Sequence, residues 1–230
     1  MRCIIATTLA LACLISLSCI GYAAEQAVPE PVSTVKLTPP RTDGGISVEK
    51  ALATRRSVRT LDVKPVSLEM LSQLLWAAQG VTDDKSHRTA PSARAVYSLE
   101  TYVVSGNVIG LAAGVYKYVP AKHELKLLTP GDKRSEMVKK TIGQSWIESA
   151  PAIVVLSGVA DRVTRKNGEK NPKWMYVEAG LAAENYFLQA VSLGLSSTFV
   201  GGFDTDALRS FLSLPATEEP VAVLPIGYKK

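Results

Sequence analysis

The alternation of apolar and polar positions along the chain lays out its elements before any chemistry is considered. Ser47 heads a short run with Val48, Ala51 and Leu52 on one face, the spacing of a brief helix ending near Thr54. A clearer helix follows Pro65. Ser67 is its N-cap, Leu68, Leu71, Leu74, Leu75 and Ala78 recur at helical intervals, and Gly80 stops it. Beyond a polar loop at 82–89, β-branched and aromatic residues predict strands at 99–104, 114–119, 124–128 and 153–158, with a helix over 132–142 between the last two. The longest periodic segment runs from 172 to 193, where Ala179, Ala182, Ala183, Tyr186, Phe187 and Ala190 form an apolar, small-residue stripe. Pro172 suits its first turn and Gly194 its C-terminal cap. A strand at 198–200 is predicted to enter the pair Gly201-Gly202, Asp204 to cap a helix through Leu212, and 221–226 to form a buried strand. Helices and strands interleave without strict βαβ repetition, so the pattern predicts an α+β fold, a mixed sheet flanked by helices.

Composition narrows this to one core. The chain has 230 residues, 47% of them apolar, enough for a single substantial domain. Its net charge of +5 is modest, and no Lys/Arg run with interleaved aromatics occurs, so a small anionic molecule is the expected partner and nucleic acid is not. Residues 1–24 read as an export signal: Arg2, an apolar run, then Gly21-Tyr22-Ala23-Ala24. The expected address is the periplasm. An uncleaved anchor, or a lipoprotein signal at Cys19, is the alternative, and no other membrane segment is expected. All three cysteines (Cys3, Cys13, Cys19) fall inside the signal, so a processed chain has no disulfide, thiolate metal site or cysteine nucleophile. Residues 25–45, with Pro29, Pro31, Pro39, Pro40, Gly44 and Gly45, read as an extended linker or surface arm. The folded domain is placed at 46–230.

Candidate chemistry centres on Arg55-Arg56-Ser57-Val58-Arg59. Three rigid, permanently charged guanidinium forks and a hydroxyl can hold a phosphate, although cations after a helix also meet its unpaired carbonyls. The pair Gly201-Gly202 permits positive φ, or the close approach of a flat ligand to a bare N–H. Pro91-Ser92-Ala93 is either a turn or a small loop able to edge a ring. Glu178 reads as a solvated or dimer-facing charge, and His87 and His123 as isolated loop residues. No metal site is expected, and no dinucleotide, P-loop or nucleophile-elbow motif occurs. An anion clamp without acid–base machinery implies a cofactor that brings the chemistry. The small-residue stripe of the long helix suits a core helix, a homodimer core, or both.

Six motifs, in order, resemble the nitroreductase family. They are 55–59, 74–80 (LLWAAQG), 90–100 (APSARAVYSLE), 114–118 (GVYKY), 178–185 (EAGLAAEN) and 200–204 (VGGFD). The resemblance covers about 36–230 and is nearest to the SagB-type, thiazoline-oxidising branch, although the Leu-Lys-Tyr-Arg element of the azole-forming enzymes is matched only loosely by 173–176. It implies an FMN-binding α+β homodimer with flavin at the subunit interface. Arg55, Arg56, Ser57 and Arg59 would cradle the phosphate and ribityl chain, with Lys229 a further cation. Pro91, Ser92 and Ala93 of the partner subunit would line the ring, and Gly201 would offer its backbone N–H to flavin N5, with Gly202 beside it. The implied activity is hydride transfer from a donor, NAD(P)H being the candidate, to a small aromatic, quinone or heterocyclic substrate in a ping-pong cycle. A flavin-binding electron carrier is the alternative.

Overall fold

A computed structural model describes residues 33–164 and 171–230. The expected signal at 1–24, its cysteines and the first part of the arm lie outside the described residues. The elements are β1 (Thr34–Lys36), α1 (Val48–Thr54), β2 (Val66–Ser67), α2 (Leu68–Gln79), β3 (Leu99–Ser105), β4 (Val108–Ile109), β5 (Gly114–Val119), β6 (Glu124–Pro130), α3 (Arg134–Thr141), β7 (Ala152–Val159), α4 (Lys173–Ser192), β8 (Ser196–Ser197), α5 (Thr205–Phe211) and β9 (Glu218–Gly227).

Seven strands form one sheet in the order β1-β6-β5-β3-β7-β9-β8, every neighbouring pair antiparallel. β2 and β4 make a separate two-stranded parallel pair. The central strands are apolar on both faces because both faces are covered. Val103 of β3, Val154 and Leu156 of β7 and Leu224 of β9 pack into the layer that contains α2 and α4. Val104, Ile153, Val155 and Val223 alternate to the opposite side, against Met137 and Val138 of α3 and Leu208 of α5. The fold is thus α+β, a large antiparallel sheet between two helical layers.

Local chemistry sets the helix ends. The hydroxyls of Ser47 and Ser67 accept the N–H of Lys50 and Met70, each at 3.2 Å. α4 closes with Gly194 at φ 71°, Leu195 N–H donating to Ala190 and Gly194 N–H to Val191, the paired bonds of a left-handed helix stop. Gly80 has ordinary backbone angles (φ −68°, ψ 151°). It must be glycine for space, since a Cβ there would lie 2.1 Å from Trp76 Cδ1.

Three expectations change. The stretch read as a linker or surface arm contributes β1 to the sheet edge and buries Leu37, so 34–37 belong to the fold. The strand expected at 198–200 lies at Ser196–Ser197, and Val200 makes only a single bridge to Val223. Pro225, two residues beyond Val223 on the same edge of β9, has no N–H for Thr198, so the ladder breaks there. β9 itself begins at Glu218, three residues before the expected start at 221.

Candidate functional site

The arginine segment begins where α1 ends. Arg55 (φ −55°, ψ 127°) turns the backbone from helical to extended, and the next residues run beside β8. Ser57 pairs with Ser197 in parallel, and Val58 N–H donates to the Ser197 carbonyl at 3.1 Å. The three guanidiniums differ. Arg56 turns back on its own helix, Nη1 donating to the carbonyls of Ala53 (3.1 Å) and Arg55 (2.7 Å). Arg55 faces Glu184 of α4 at 3.4 Å. Arg59, and the Ser57 hydroxyl, are exposed and have no partner among the described residues.

The end of the chain closes the same corner. Asp62 N–H donates to the Tyr228 carbonyl (2.8 Å), Lys230 N–H to Thr60 (3.1 Å), and Leu61 bridges Lys229. The result is a cleft of about 290 Å³ lined by Arg55, Arg56, Gly194, Ser196, Ser197 and Lys229. The Ser197 hydroxyl is buried there without a hydrogen-bond partner. Cations that can only donate, beside an unsatisfied hydroxyl, suit a ligand rich in acceptor oxygens.

Gly201 and Gly202 follow β8 after the three residues 198–200. Neither has positive φ, so left-handed geometry is not their reason. A Cβ on Gly202 would meet nothing within 4 Å, and one on Gly201 would meet only the Phe199 ring, at 3.4 Å. The chain's own packing therefore leaves room at both positions. The Gly201 N–H has no acceptor among the described residues.

Pro91, Ser92 and Ala93 lie elsewhere. Their anchor is Glu178, expected as a solvated or dimer-facing charge but in fact 4% exposed within the single chain. Its Oε1 accepts from the Ser92 hydroxyl (2.7 Å) and Ala93 N–H (3.1 Å), and its Oε2 from Ser98 N–H (3.1 Å) and hydroxyl (2.7 Å). A buried carboxylate needs such donors, and the short polar loop supplies them. The only sequence signal was Glu178's place on the inward stripe of α4, one turn before Ala182. On a helix rising about 1.5 Å per residue, Glu178 and the cleft-lining Ala190 are about 18 Å apart. One chain thus joins Arg55, Arg56 and Val58 to Ser196, Ser197 and Lys229 around one cleft, with Ser57, Arg59, Gly201 and Gly202 not among its lining residues, and holds Pro91–Ala93 at the other end of α4.

Neither histidine is isolated. His87 Nδ1 lies 2.6 Å from Asp83 Oδ2, one helical turn earlier in the sequence, and the bond holds the Asp83 carboxyl below its usual range. His123 Nε2 is 2.9 Å from both the Ser72 hydroxyl and the Thr38 carbonyl, and its Nδ1 is 2.9 Å from the Tyr118 hydroxyl. Burial lowers its pKa from the ordinary 6.5. Among the described residues no cluster of His, Cys, Asp or Glu is able to hold a metal ion, and no helix is long and apolar enough to cross a membrane. A separate cavity of about 420 Å³ lies between residues 41–48 and α1, α2 and α4. None of the site residues expected from the sequence lines it. Gln73 ties its rim, bonding both the N–H and the carbonyl of Arg41.

Three comparisons bear on this geometry. The model of the nitroreductase family matches residues 52–228. A protein of Methanocaldococcus jannaschii assigned as a nitroreductase is 36% identical over 184 residues, 80% of this chain and 92% of the relative. A trifolitoxin operon protein of Rhizobium leguminosarum is 25% identical over 70% of this chain and 50% of its own length. Among solved structures, one from Ralstonia eutropha assigned as a nitroreductase superposes with a TM-score of 0.75 at 32% identity, covering 86% of this chain and 90% of that one.

Proposed function

The chain belongs to the nitroreductase family, a family of oxidoreductases, and from that premise we propose that it is an FMN-dependent homodimeric enzyme acting on a small aromatic, quinone or heterocyclic substrate. The observation that carries the FMN reading is the corner where 54–58, 194–197 and 229 meet: two arginines, a lysine and a buried hydroxyl without a partner among the described residues, around one cleft. The residues fit a phosphate-tailed flat ring on two counts. The Ser197 hydroxyl has no partner among the described residues, and the two glycines leave open space beside an N–H that has no acceptor among them.

In this reading Arg55, Arg56, Arg59 and Lys229 bind the phosphate, with Ser57 and Ser197 completing its hydrogen bonds. Charge-assisted bonds of this kind contribute about 1.5–3 kcal/mol each. Gly201 presents its N–H to the ring, an oriented dipole that favours added electron density there. Pro91, Ser92 and Ala93 edge the ring from the partner subunit, since one chain holds them at the far end of α4. When bound, FMN supplies hydride transfer from donor to acceptor in two half-reactions, with NAD(P)H the candidate donor. The protein's share is orientation and the exclusion of water. Within the family we place the chain beside the SagB-type branch on its motif set, and we place the enzyme in the periplasm on the export pattern of 1–24.

The test is the visible spectrum of the purified protein after incubation with FMN, followed by NADPH and then a nitroaromatic or quinone. Bound flavin that bleaches and reoxidises is the expected result. Protein that retains no FMN overturns the proposal. Flavin that is bound but bleached by dithionite alone points to the electron-carrier alternative.

A further inference from the structure

The loop that presents Pro91, Ser92 and Ala93 has an unusual backbone. Arg94, Ala95 and Tyr97 adopt φ of 59°, 54° and 50°, the left-handed region that disfavours residues with a Cβ. Such conformations persist only where surrounding bonds determine them. Here the bonds converge on Glu178. Its Oε1 takes Ser92 Oγ–H and Ala93 N–H on one side of the run, and its Oε2 takes both donors of Ser98 on the other. The Ser92 hydroxyl in turn accepts Tyr97 N–H at 2.8 Å, closing the loop on itself. Tyr97 is gripped again from outside. Arg162 Nη1 donates to its carbonyl at 2.9 Å, the Arg88 N–H donates to its phenolic oxygen at 3.1 Å, and the Arg88 guanidinium lies over its ring at 4.7 Å.

These bonds have a chemical consequence. The Ser92 hydroxyl donates to Glu178 and accepts from Tyr97, and the Ala93 N–H is also committed, so neither is free to donate to a ligand. What the loop offers outward is shape: exposed Pro91 and the half-buried Ala93. A loop that works by shape must be held in one conformation, and its holder is a buried side chain of α4. Outer residues of that same helix, Trp174, Val177 and Leu181, are exposed in the single chain.

We propose that Glu178 is a positioning residue, fixing the Pro91–Ala93 loop in the form in which it edges the ring and tying that form to the helix on which two subunits would meet. The inference rests on the FMN reading given above. It acts through the loop, with no contact between Glu178 and flavin.

The two oxygens of Glu178 give the test its contrast. Glu178→Gln keeps the volume but replaces one acceptor oxygen with an NH₂ group, which must face donors at either Ser98 or the Ser92–Ala93 side. Ser92→Ala breaks the loop side alone, and Ser98→Ala the strand side alone. Each variant apoprotein is titrated with FMN by quenching of flavin fluorescence. The visible circular dichroism of the bound flavin, the thermal midpoint and the hydrogen exchange of the Ala93 and Tyr97 amides are recorded alongside. Expected for Glu178→Gln and Ser92→Ala are an FMN Kd raised about tenfold, an altered flavin dichroism and faster exchange at Ala93 and Tyr97. Ser98→Ala is expected to lower the midpoint while keeping FMN affinity within about twofold and the dichroism unchanged. Ser92→Ala and Ser98→Ala that behave alike toward FMN would reduce Glu178 to a general stabiliser and overturn the proposal, and this contrast holds even if Glu178→Gln fails to fold. Wild-type protein that binds FMN, with Glu178→Gln binding it equally, defeats the positioning role alone. Wild-type protein that binds no FMN defeats the functional reading and this role together.

Discussion

Three arginines in five residues have three different roles. Arg56 bonds two carbonyls near the end of its own helix, as a cation after a helix commonly does, while Arg59 is exposed and has no partner among the described residues. Arg59→Ala and Arg55→Ala are therefore expected to weaken FMN by about 1.5–3 kcal/mol each, roughly tenfold to over a hundredfold. The thermal midpoint of the apoprotein should be little changed. Arg56→Ala should lower that midpoint as well. Fluorescence titration beside a melting curve separates the two behaviours. His123 carries a pH prediction. Burial favours its neutral form in the folded chain, so its folded pKa lies below the unfolded 6.5. The unfolded state then binds more protons in that interval. The stability His123 contributes is complete above about pH 6.5 and is lost as pH falls toward its lowered folded pKa. Urea midpoints at pH 7.5 and 5.5 should diverge more for the wild type than for His123→Gln. An equal pH slope in the two would refute this.

At the scale of elements, the sequence was legible wherever a segment was long and its period clean. α2 and α4 carried caps and stripes that matched their packing, and β3, β5 and β7 came within one residue of their observed ends because they are buried on both faces. What failed depended on distant partners. β1 becomes a strand only because β6 is there to pair with, and its own residues read as an arm. The displacement of β8 follows from a proline on the neighbouring strand, which no local window contains. Glu178 was misread because a carboxylate facing inward has no sequence signature until its four donors, eighty or more residues away, are brought to it. Gly80 carries the prediction at this scale. The Cβ of Gly80→Ala would lie 2.7 Å from Trp76 Cα and nearer still to its ring, so α2 or the Trp76 ring must shift. A loss of about 1–3 kcal/mol is expected, read from chemical denaturation. By contrast, Gly202→Ala, with open space around it, should leave apoprotein stability unchanged.

For the whole molecule, the telling surface is apolar. Val48 and Leu52 of α1 are 65% and 55% exposed, and Trp174, Val177 and Leu181 of α4 more than 40%. α1 packs against α4, so the two groups belong to neighbouring helices. Large apolar side chains exposed in numbers mark an interaction surface. In the proposed homodimer this surface meets its copy, bringing one subunit's Pro91–Ala93 loop to the other's arginine corner. Leu181→Glu is expected to give monomers in sedimentation, with FMN retention falling in step. A variant that stays dimeric, or a monomer that keeps its flavin, would contradict the shared site. The sheet order adds a constraint on synthesis. β9 lies between β7 and β8, and the bonds from 228–230 to 60–62 are what carry Lys229 to the arginine corner. Until 218–230 have been made, β8 lacks its neighbour and the corner has only one wall. On the FMN reading proposed above, chains stalled before 218 are expected to emerge without affinity for FMN however well their earlier strands have paired.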